Sequence, residues 1–485
     1  MADNSSYRRI LKGTAVFGGV QVFQILITLI RGKITAMLIG AQGYGISSLY
    51  TSSLAMIIVF AGLGCTVSAV KYIAEQDKSE EKYYLIIKLI EKMFVVIGIV
   101  GAITTIVLSA YLSQIAFSSS DYTVGFAILS VYVFSSLYSS GGYAIYQGMQ
   151  ELKKIAYGNI IPSFLGLLIT LPLYALYGID AVVPVLLVVP VLSSLYIKYH
   201  LSRLYKDKLH GKVSNGQLDI KPMVKDLLSN GITSMLPNLL TSVCVLALNM
   251  FISRMGNITD IGFYNAGVNI TNQYVGLIFS AMAMDYLPRL TKSIKNVRDT
   301  NKVVNEQSEI VLILSFPLLS LMMLTAPIII TVLLTDEFYV LIDFIRIIAF
   351  GTIMKAVAWC MSYMAFAKGE KKVFLTMELS ANILMLVANI IGYYFLGLKG
   401  LAISYWIFYF IYFVSYGGVS ICRYEYSISK SVIKLLITAL FSLGGLFFML
   451  EKGGAYMLGI ATVLVAVICI ISIKMLRYRI CKTSV

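Results

Sequence analysis

The sequence predicts an all-α integral membrane fold of about fourteen transmembrane helices, built as two like-oriented six-helix lobes followed by two C-terminal helices. Three observations carry this. Of 485 residues, 58% are apolar and only 13% charged, with mean hydropathy +0.83, which is more apolar surface than a soluble core can hide. Apolar windows of roughly 20 residues, enough to cross a bilayer core, recur from residue 13 to the end. Short matches also recur at a shared offset of 217 to 219 residues, the mark of an internal duplication.

In chain order, the first span is 13–39. It follows the basic start MADNSSYRRILKG. Its apolar run exceeds a signal-peptide core and lacks a clean A-x-A cleavage site, so it is expected to be retained. Spans 44–70, 92–112, 123–146, 156–176 and 181–199 complete a first lobe, 1–199. A basic linker, 200–226, carries both histidines, His200 and His210, read as solvated. The second lobe, 227–421, holds spans 227–253, 261–286, 308–334, 341–366, 373–396 and 400–421. Residues 422–485 add spans 434–450 and 454–476 and a tail, outside the duplication.

Charge fixes the orientation. Thirty-two of the 39 Lys and Arg fall before the first helix, in alternate loops and after the last helix. Counting Lys92, Lys198, Lys434 and Lys474, at cytoplasmic span ends, with the adjoining loops, the opposite loops hold only Arg254, Lys399 and Lys452, and Arg31, Lys33, Arg346 and Lys355 fall inside spans. By the positive-inside rule both termini are cytoplasmic. The net charge of +15 therefore reports topology and contact with anionic membrane lipids, and no groove-reading motif points to nucleic acid. The six cysteines, Cys65, Cys244, Cys360, Cys422, Cys469 and Cys481, lie in spans or cytoplasmic loops without paired spacing, so no disulfide or zinc site is implied. No G-x-x-x-x-G-K-[ST] occurs, and no cofactor or metal is expected. Gly62-Leu63-Gly64 lies inside a span and reads as close helix packing rather than a phosphate loop.

The duplication pairs Gly45 with Gly262, Lys153-Lys154 with Lys371-Lys372, and Gly178-Ile179-Asp180-Ala181 with Gly397-Leu398-Lys399-Gly400. Six helices per copy is an even number, so both copies enter from the same side. They should be related by a pseudo-two-fold axis along the membrane normal, with a cleft between lobes.

On the first helix Gln21, Gln24, Thr28, Arg31 and Thr35 fall within an arc of about 80°. Polar groups are costly against hydrocarbon, so this face should look into the protein or a wet cavity. The seventh helix repeats the stripe with Ser234, Asn238, Thr241, Ser242 and Asn249, and the eighth offers Asn265, Asn269, Asn272 and Gln273. Asn159, Ser163, Gly166 and Thr170 on the fifth helix map onto Glu378, Asn382, Met385 and Asn389 on the eleventh. Hydrogen bonding between helices is the bland account of such groups, each bond being worth about 0.6 kcal/mol. Lys355 is the sharpest feature: it stands mid-helix, about 20 Å from either end, too deep to snorkel easily. Lys33 and Arg346 read as interface anchors. Asp285, Glu309 and Glu378 lie near cytoplasmic helix ends, as candidates for ion coupling or as salt-bridged groups. A basic, amide-lined cavity suits an anionic headgroup bearing hydroxyls, because Arg forks onto diphosphate oxygens while Asn and Gln both donate and accept.

Two stretches carry a family resemblance: Arg31-x4-Ala36-x3-Gly40-Ala41 leading into Gly43-Tyr44-Gly45, and Ala283-Met284-Asp285-Tyr286-Leu287-Pro288-Arg289-Leu290-Thr291-Lys292. Over residues 1–421 the chain resembles the multidrug/oligosaccharidyl-lipid/polysaccharide exporter superfamily, and within it the O-antigen and capsule-repeat flippases. The resemblance implies a V-shaped two-lobe fold in the bacterial inner membrane. It also implies alternating access driven by an ion gradient or the membrane potential, and a polyprenyl-diphosphate-linked glycan as substrate. A polysaccharide polymerase and a chain-length regulator are expected partners. Arg31 would occupy the place of a cavity arginine of the lipid II flippases. Their second arginine, about six residues earlier, falls near Ile25 here, which favours a polysaccharide repeat unit over lipid II. The other readings are a cation-coupled multidrug exporter of the same superfamily, for which a buried carboxylate would be expected mid-helix, and a membrane glycosyltransferase or polymerase. The enzyme reading finds no catalytic constellation in the short outward loops.

Overall fold

The computed structural model describes residues 3–76, 82–209 and 220–483, and within them the chain is helical almost throughout. His210 and the rest of 210–219 in the expected linker lie outside the described residues, as do the side chains of Ser234 and Cys481. Eight helices are long and apolar enough to cross a membrane, or nine if one bent pair counts as a span. Three of the eight, of 44, 56 and 54 residues, are each long enough for two crossings. Counting those three twice and the bent pair once, and adding the helices Ile258–Ser293 and Leu341–Ala367, the described residues hold the fourteen expected segments. The chain is an all-helical, multi-pass membrane protein.

The chain divides into two compact units, Met1–Gly262 and Phe263–Val485. In the first, α1 (Asp3–Gly62) turns at Gly40, as the gap between spans 13–39 and 44–70 requires. The second span is not continuous to residue 70, as the hydropathy suggested. It stops at Leu63 and Gly64, both with positive φ (46° and 64°), and restarts as α2 (Cys65–Ala74). A Cβ on Gly64 would run into the carbonyl of Gly231, so the break lets α1 and the helix Ile220–Met255 approach backbone to backbone, and close packing is the role of Gly62-Leu63-Gly64.

The third span also bends, by 62°, between α3 (Lys82–Val107) and α4 (Ser109–Phe117). No proline is present. Instead Thr104 and Thr105 turn their hydroxyls onto the carbonyls of Val100 and Gly101, both at 2.8 Å, a back-bond that bends helices. Then come α5 (Thr123–Ile128), α6 (Ser130–Met149), α7 (Leu152–Tyr177), α8 (Val182–Leu209) and α9 (Ile220–Met255). Buried Ile87, Ile90, Phe94, Ile145, Tyr146 and Ile197 form a core shared by α3, α6 and α8. Val96, Ile99, Val100, Ile103 and Ile106 of α3 stay exposed, the face expected to meet lipid.

The second unit contains most of α10 (Ile258–Ser293), then α11 (Val297–Leu333), α12 (Leu341–Ala367), α13 (Lys371–Tyr424), α14 (Lys430–Lys452) and α15 (Ala455–Thr483). Asn296 caps α11 by accepting from the Arg298 amide at 2.9 Å, and Ser429 caps α14 by accepting from Val432 at 3.2 Å. Most residues of α12 are buried, which makes it the core helix of this unit. Arg479 of α15 pairs with Glu309 of α11 at 2.6 Å, tying the C-terminal helix to the unit.

The duplication is visible in the backbone. Gly178 ends α7 at φ 55°, ψ −131°, and Gly397, 219 residues on, turns α13 at φ 57°, ψ −137°. L side chains rarely adopt such angles, so glycine marks both copies of the turn. Within the first unit, a Cβ on Gly45 would strike the carbonyl of Ile258, and one on Gly262 that of Ala41. Each glycine and each carbonyl is the other's counterpart at offset 217, so the contact is reciprocal.

Candidate functional site

In the first unit the stripe on α1 has one charged member. The Arg31 Nη2 donates to the carbonyl of Ser163 at 3.5 Å, a long bond, and its buried Nε has no partner. Thr35, 8% exposed, pairs with the hydroxyl of Tyr174, which also faces Arg31. The Thr28 hydroxyl donates to its own helix at the Gln24 carbonyl, 2.8 Å away, while Gln21 is exposed and Gln24 half-buried. None of the described ion pairs gives Arg31 a carboxylate. Among the described residues, the Arg31 guanidinium thus satisfies only part of its donor set.

On α9, Asn238 and Thr241 are exposed, and the Thr241 hydroxyl donates to the Pro237 carbonyl at 3.0 Å. Asn249 differs. It is 1% exposed and its Nδ2 donates to Ser52 Oγ at 3.2 Å, a bond between α9 and α1.

In the second unit, Lys355 and Asn272 come together. Both line a cavity of about 240 Å³, with Thr271, Thr352, Val275, Gly276, Phe279 and Tyr405. The Lys355 Nζ stands 5.2 Å from the centre of the Tyr409 ring, a cation–π arrangement. No described ion pair gives it a carboxylate either. Asn265 is half-buried and Asn269 exposed on the same helix as Asn272. Arg346 donates to the Met323 carbonyl at 3.5 Å.

The three candidate coupling carboxylates have different surroundings. Asp285 is exposed and pairs within its own helix with Arg289 at 2.7 Å. Glu309 is 7% exposed and held by Arg479. Glu378 accepts from two tyrosine hydroxyls, Tyr416 at 2.9 Å and Tyr412 at 3.4 Å.

Residues 10–294, more than half of the chain, match the family model described as polysaccharide biosynthesis protein. The chain belongs to that family. Among curated proteins, the lipid III flippases of Escherichia coli (strain K12) and Shigella flexneri are each 21% identical over 366 residues, covering 74% of this chain and 85% of theirs. Among solved structures, the lipid II flippase MurJ in an inward closed conformation superposes with TM-score 0.71 at 14% identity, over 97% of this chain and 99% of that one. An inward-facing multidrug resistance MATE family transporter of the MOP superfamily gives 0.69 at 19% identity, over 83% and 94%. The family and the fold expected from the Arg31 and Asp285 stretches are thus the ones found.

Sequence reasoning missed three features of this family member. Tyr405 and Tyr409 beside Lys355 were not singled out, although their spacing of four on one helix was readable. Tyr174 opposite Arg31 was not either. Nor was Glu91, whose two carboxylate oxygens accept from Tyr138 at 2.7 Å and Tyr205 at 2.5 Å. These tyrosines lie 47 and 114 residues away, so only the folded chain reveals that pairing.

Proposed function

We propose that this protein is a flippase that carries a polyprenyl-diphosphate-linked oligosaccharide, an O-antigen, capsule or exopolysaccharide repeat unit, from the cytoplasmic to the outer leaflet of a bacterial inner membrane. One observation carries the reading: each unit holds a cation within a membrane helix, Arg31 and Lys355, that none of the described ion pairs neutralises. Removing charge from water is expensive unless a partner compensates, and a diphosphate that arrives with each cycle is such a partner. Asn272, Thr271 and Thr352 beside Lys355 offer hydroxyl- and amide-type contacts to phosphate or sugar oxygens. Asn265 and Asn269 on α10 add polar groups in the same unit, and Gln21, Gln24, Asn238 and Thr241 on α1 and α9 add them in the first unit.

In this reading the chain is a secondary transporter rather than an enzyme, with both termini cytoplasmic. Residues 1–199 and 227–421 are its repeated lobes, 200–226 the linker, and 422–485 an addition that Arg479 fastens. The cycle is one of alternating access. A polymerase and a chain-length regulator receive the glycan on the outer face. The likeness to the lipid III flippases, and family membership, support a lipid-linked glycan as cargo. The MATE likeness supports the fold alone, and cationic drugs would be repelled by Arg31 and Lys355.

Deleting the gene should remove surface polysaccharide and cause lipid-linked repeat units to accumulate, with drug susceptibility changed less than twofold. Intact surface glycan together with a large rise in drug susceptibility would favour the exporter reading.

A further inference from the structure

Headgroup binding leaves Tyr412 and Tyr416 of α13 unused. Tyr405, Tyr409, Tyr412 and Tyr416 recur at spacings of four, three and four, which puts them on one helix face over about 16 Å. Their ring centres follow one another at 4.6, 5.8 and 4.3 Å. At one end is Lys355, over the Tyr409 ring and paired with its hydroxyl. At the other is Glu378, from the first segment of α13, which accepts from Tyr416 and Tyr412, themselves paired. Tyrosines that serve as membrane anchors sit singly at the water interface. A row of them, running between an ammonium and a carboxylate inside one unit, does something else.

A phenol hydroxyl both donates and accepts, so it can take a proton on its oxygen while passing on its own. We propose that this row is a proton route between the Lys355 cavity and Glu378, by which the transporter moves protons. The ammonium of Lys355 gives one proton to the Tyr409 oxygen, each tyrosine takes one proton and releases one, and the Glu378 carboxylate receives the last. The net change is ammonium to amine and carboxylate to acid, with every tyrosine restored. The step from Tyr409 to Tyr412 spans the widest gap and needs a hydroxyl rotation or a swing of the flexible Lys355 stem. The titratable groups facing the row are Lys355 from α12, Tyr264 from α10, which lies beside Tyr405 and Tyr409, and Glu378.

The route gives the anion site a charge control. An ammonium that has lost its anion is costly to keep buried, and the row offers its proton an exit. The inference rests on reading Lys355 as the headgroup cation, so its test separates the two. The full chain is reconstituted into liposomes loaded with a pH-sensitive dye, a potassium diffusion potential is imposed, and proton entry is recorded. Binding of undecaprenyl diphosphate is measured on the same preparations.

Wild type should conduct protons well above protein-free liposomes. Tyr412→Phe, Tyr416→Phe and Glu378→Gln should each slow entry at least tenfold, whereas Tyr394→Phe, on an exposed ring off the row, should stay within twofold of wild type. Both phenylalanine variants on the row should still bind the diphosphate lipid. Phenylalanine keeps the ring and loses only the hydroxyl, and Glu378→Gln tests the row's end independently. Wild-type flux in both Tyr412→Phe and Tyr416→Phe, or no flux in wild type, overturns the route. Lost diphosphate binding in Lys355 variants, with the route's results intact, supports both readings; retained binding there counts against the headgroup reading alone.

Discussion

Arg31→Ala and Lys355→Met should each abolish surface glycan when introduced into the full chain, while the protein still inserts and accumulates at wild-type levels. A hydrogen bond to a charged group contributes about 1.5–3 kcal/mol, roughly ten- to a hundredfold in affinity. Leaving a buried charge without its partner costs more, about 3–5 kcal/mol. The diphosphate would lose a partner in either variant. The protein itself should tolerate the changes, because neither cation is part of a described ion pair and the hydrogen bond described for Arg31, to Ser163, is a long one. Arg31→Lys should restore only part of the activity, since an ammonium lacks the planar fork that meets two phosphate oxygens. Surface glycan measured by lectin or antibody, against membrane abundance of the tagged protein, checks this. Full function in both alanine-class variants would remove the site.

Gly64→Val should have the largest effect on folding. Gly64 holds φ 64°, and a Cβ there meets the carbonyl of Gly231 with no side chain able to move aside. Left-handed strain in a residue with a side chain costs about 1–3 kcal/mol, and overpacking typically adds a further 1–3. Together they approach the whole stability of a marginal fold, about 5–15 kcal/mol. Valine at Gly231 should act alike, as its Cβ would meet the Leu63 carbonyl. The readout is the fraction of monodisperse protein after solubilisation and a thermal challenge. Wild-type recovery would mean that the α1–α9 approach is not a stability determinant.

Spans and duplication were legible in the sequence because the bilayer imposes them residue by residue. Hydropathy finds an apolar run whatever it packs on, and Gly178 and Gly397 share one backbone conformation because both copies need the same turn. Breaks inside spans were less legible. Hydropathy is blind to the left-handed pair Leu63-Gly64 and to the bend that Thr104 and Thr105 favour, since neither interrupts the apolar run. Of the candidate site, the residue types were legible and their surroundings were not. Lys355 and Asn272, on different helices, do line one cavity, and Arg31 keeps an unpartnered nitrogen. An amide in a stripe can face a cavity or bridge two helices with equal ease, however, and Asn249 bridges. The tyrosines escaped notice because aromatic residues are common in membrane helices. Glu378 acquires its meaning only when Tyr412 and Tyr416, more than thirty residues on, fold back against it.

Lipid binding to the purified full chain in nanodiscs, comparing undecaprenyl diphosphate with uncharged undecaprenol, decides whether the protein selects a diphosphate headgroup. Wild type should prefer the diphosphate by at least a hundredfold, and Arg31→Ala or Lys355→Met should each cut that preference by tenfold or more. Equal affinity for the two lipids, or a preference untouched by both substitutions, would contradict the account.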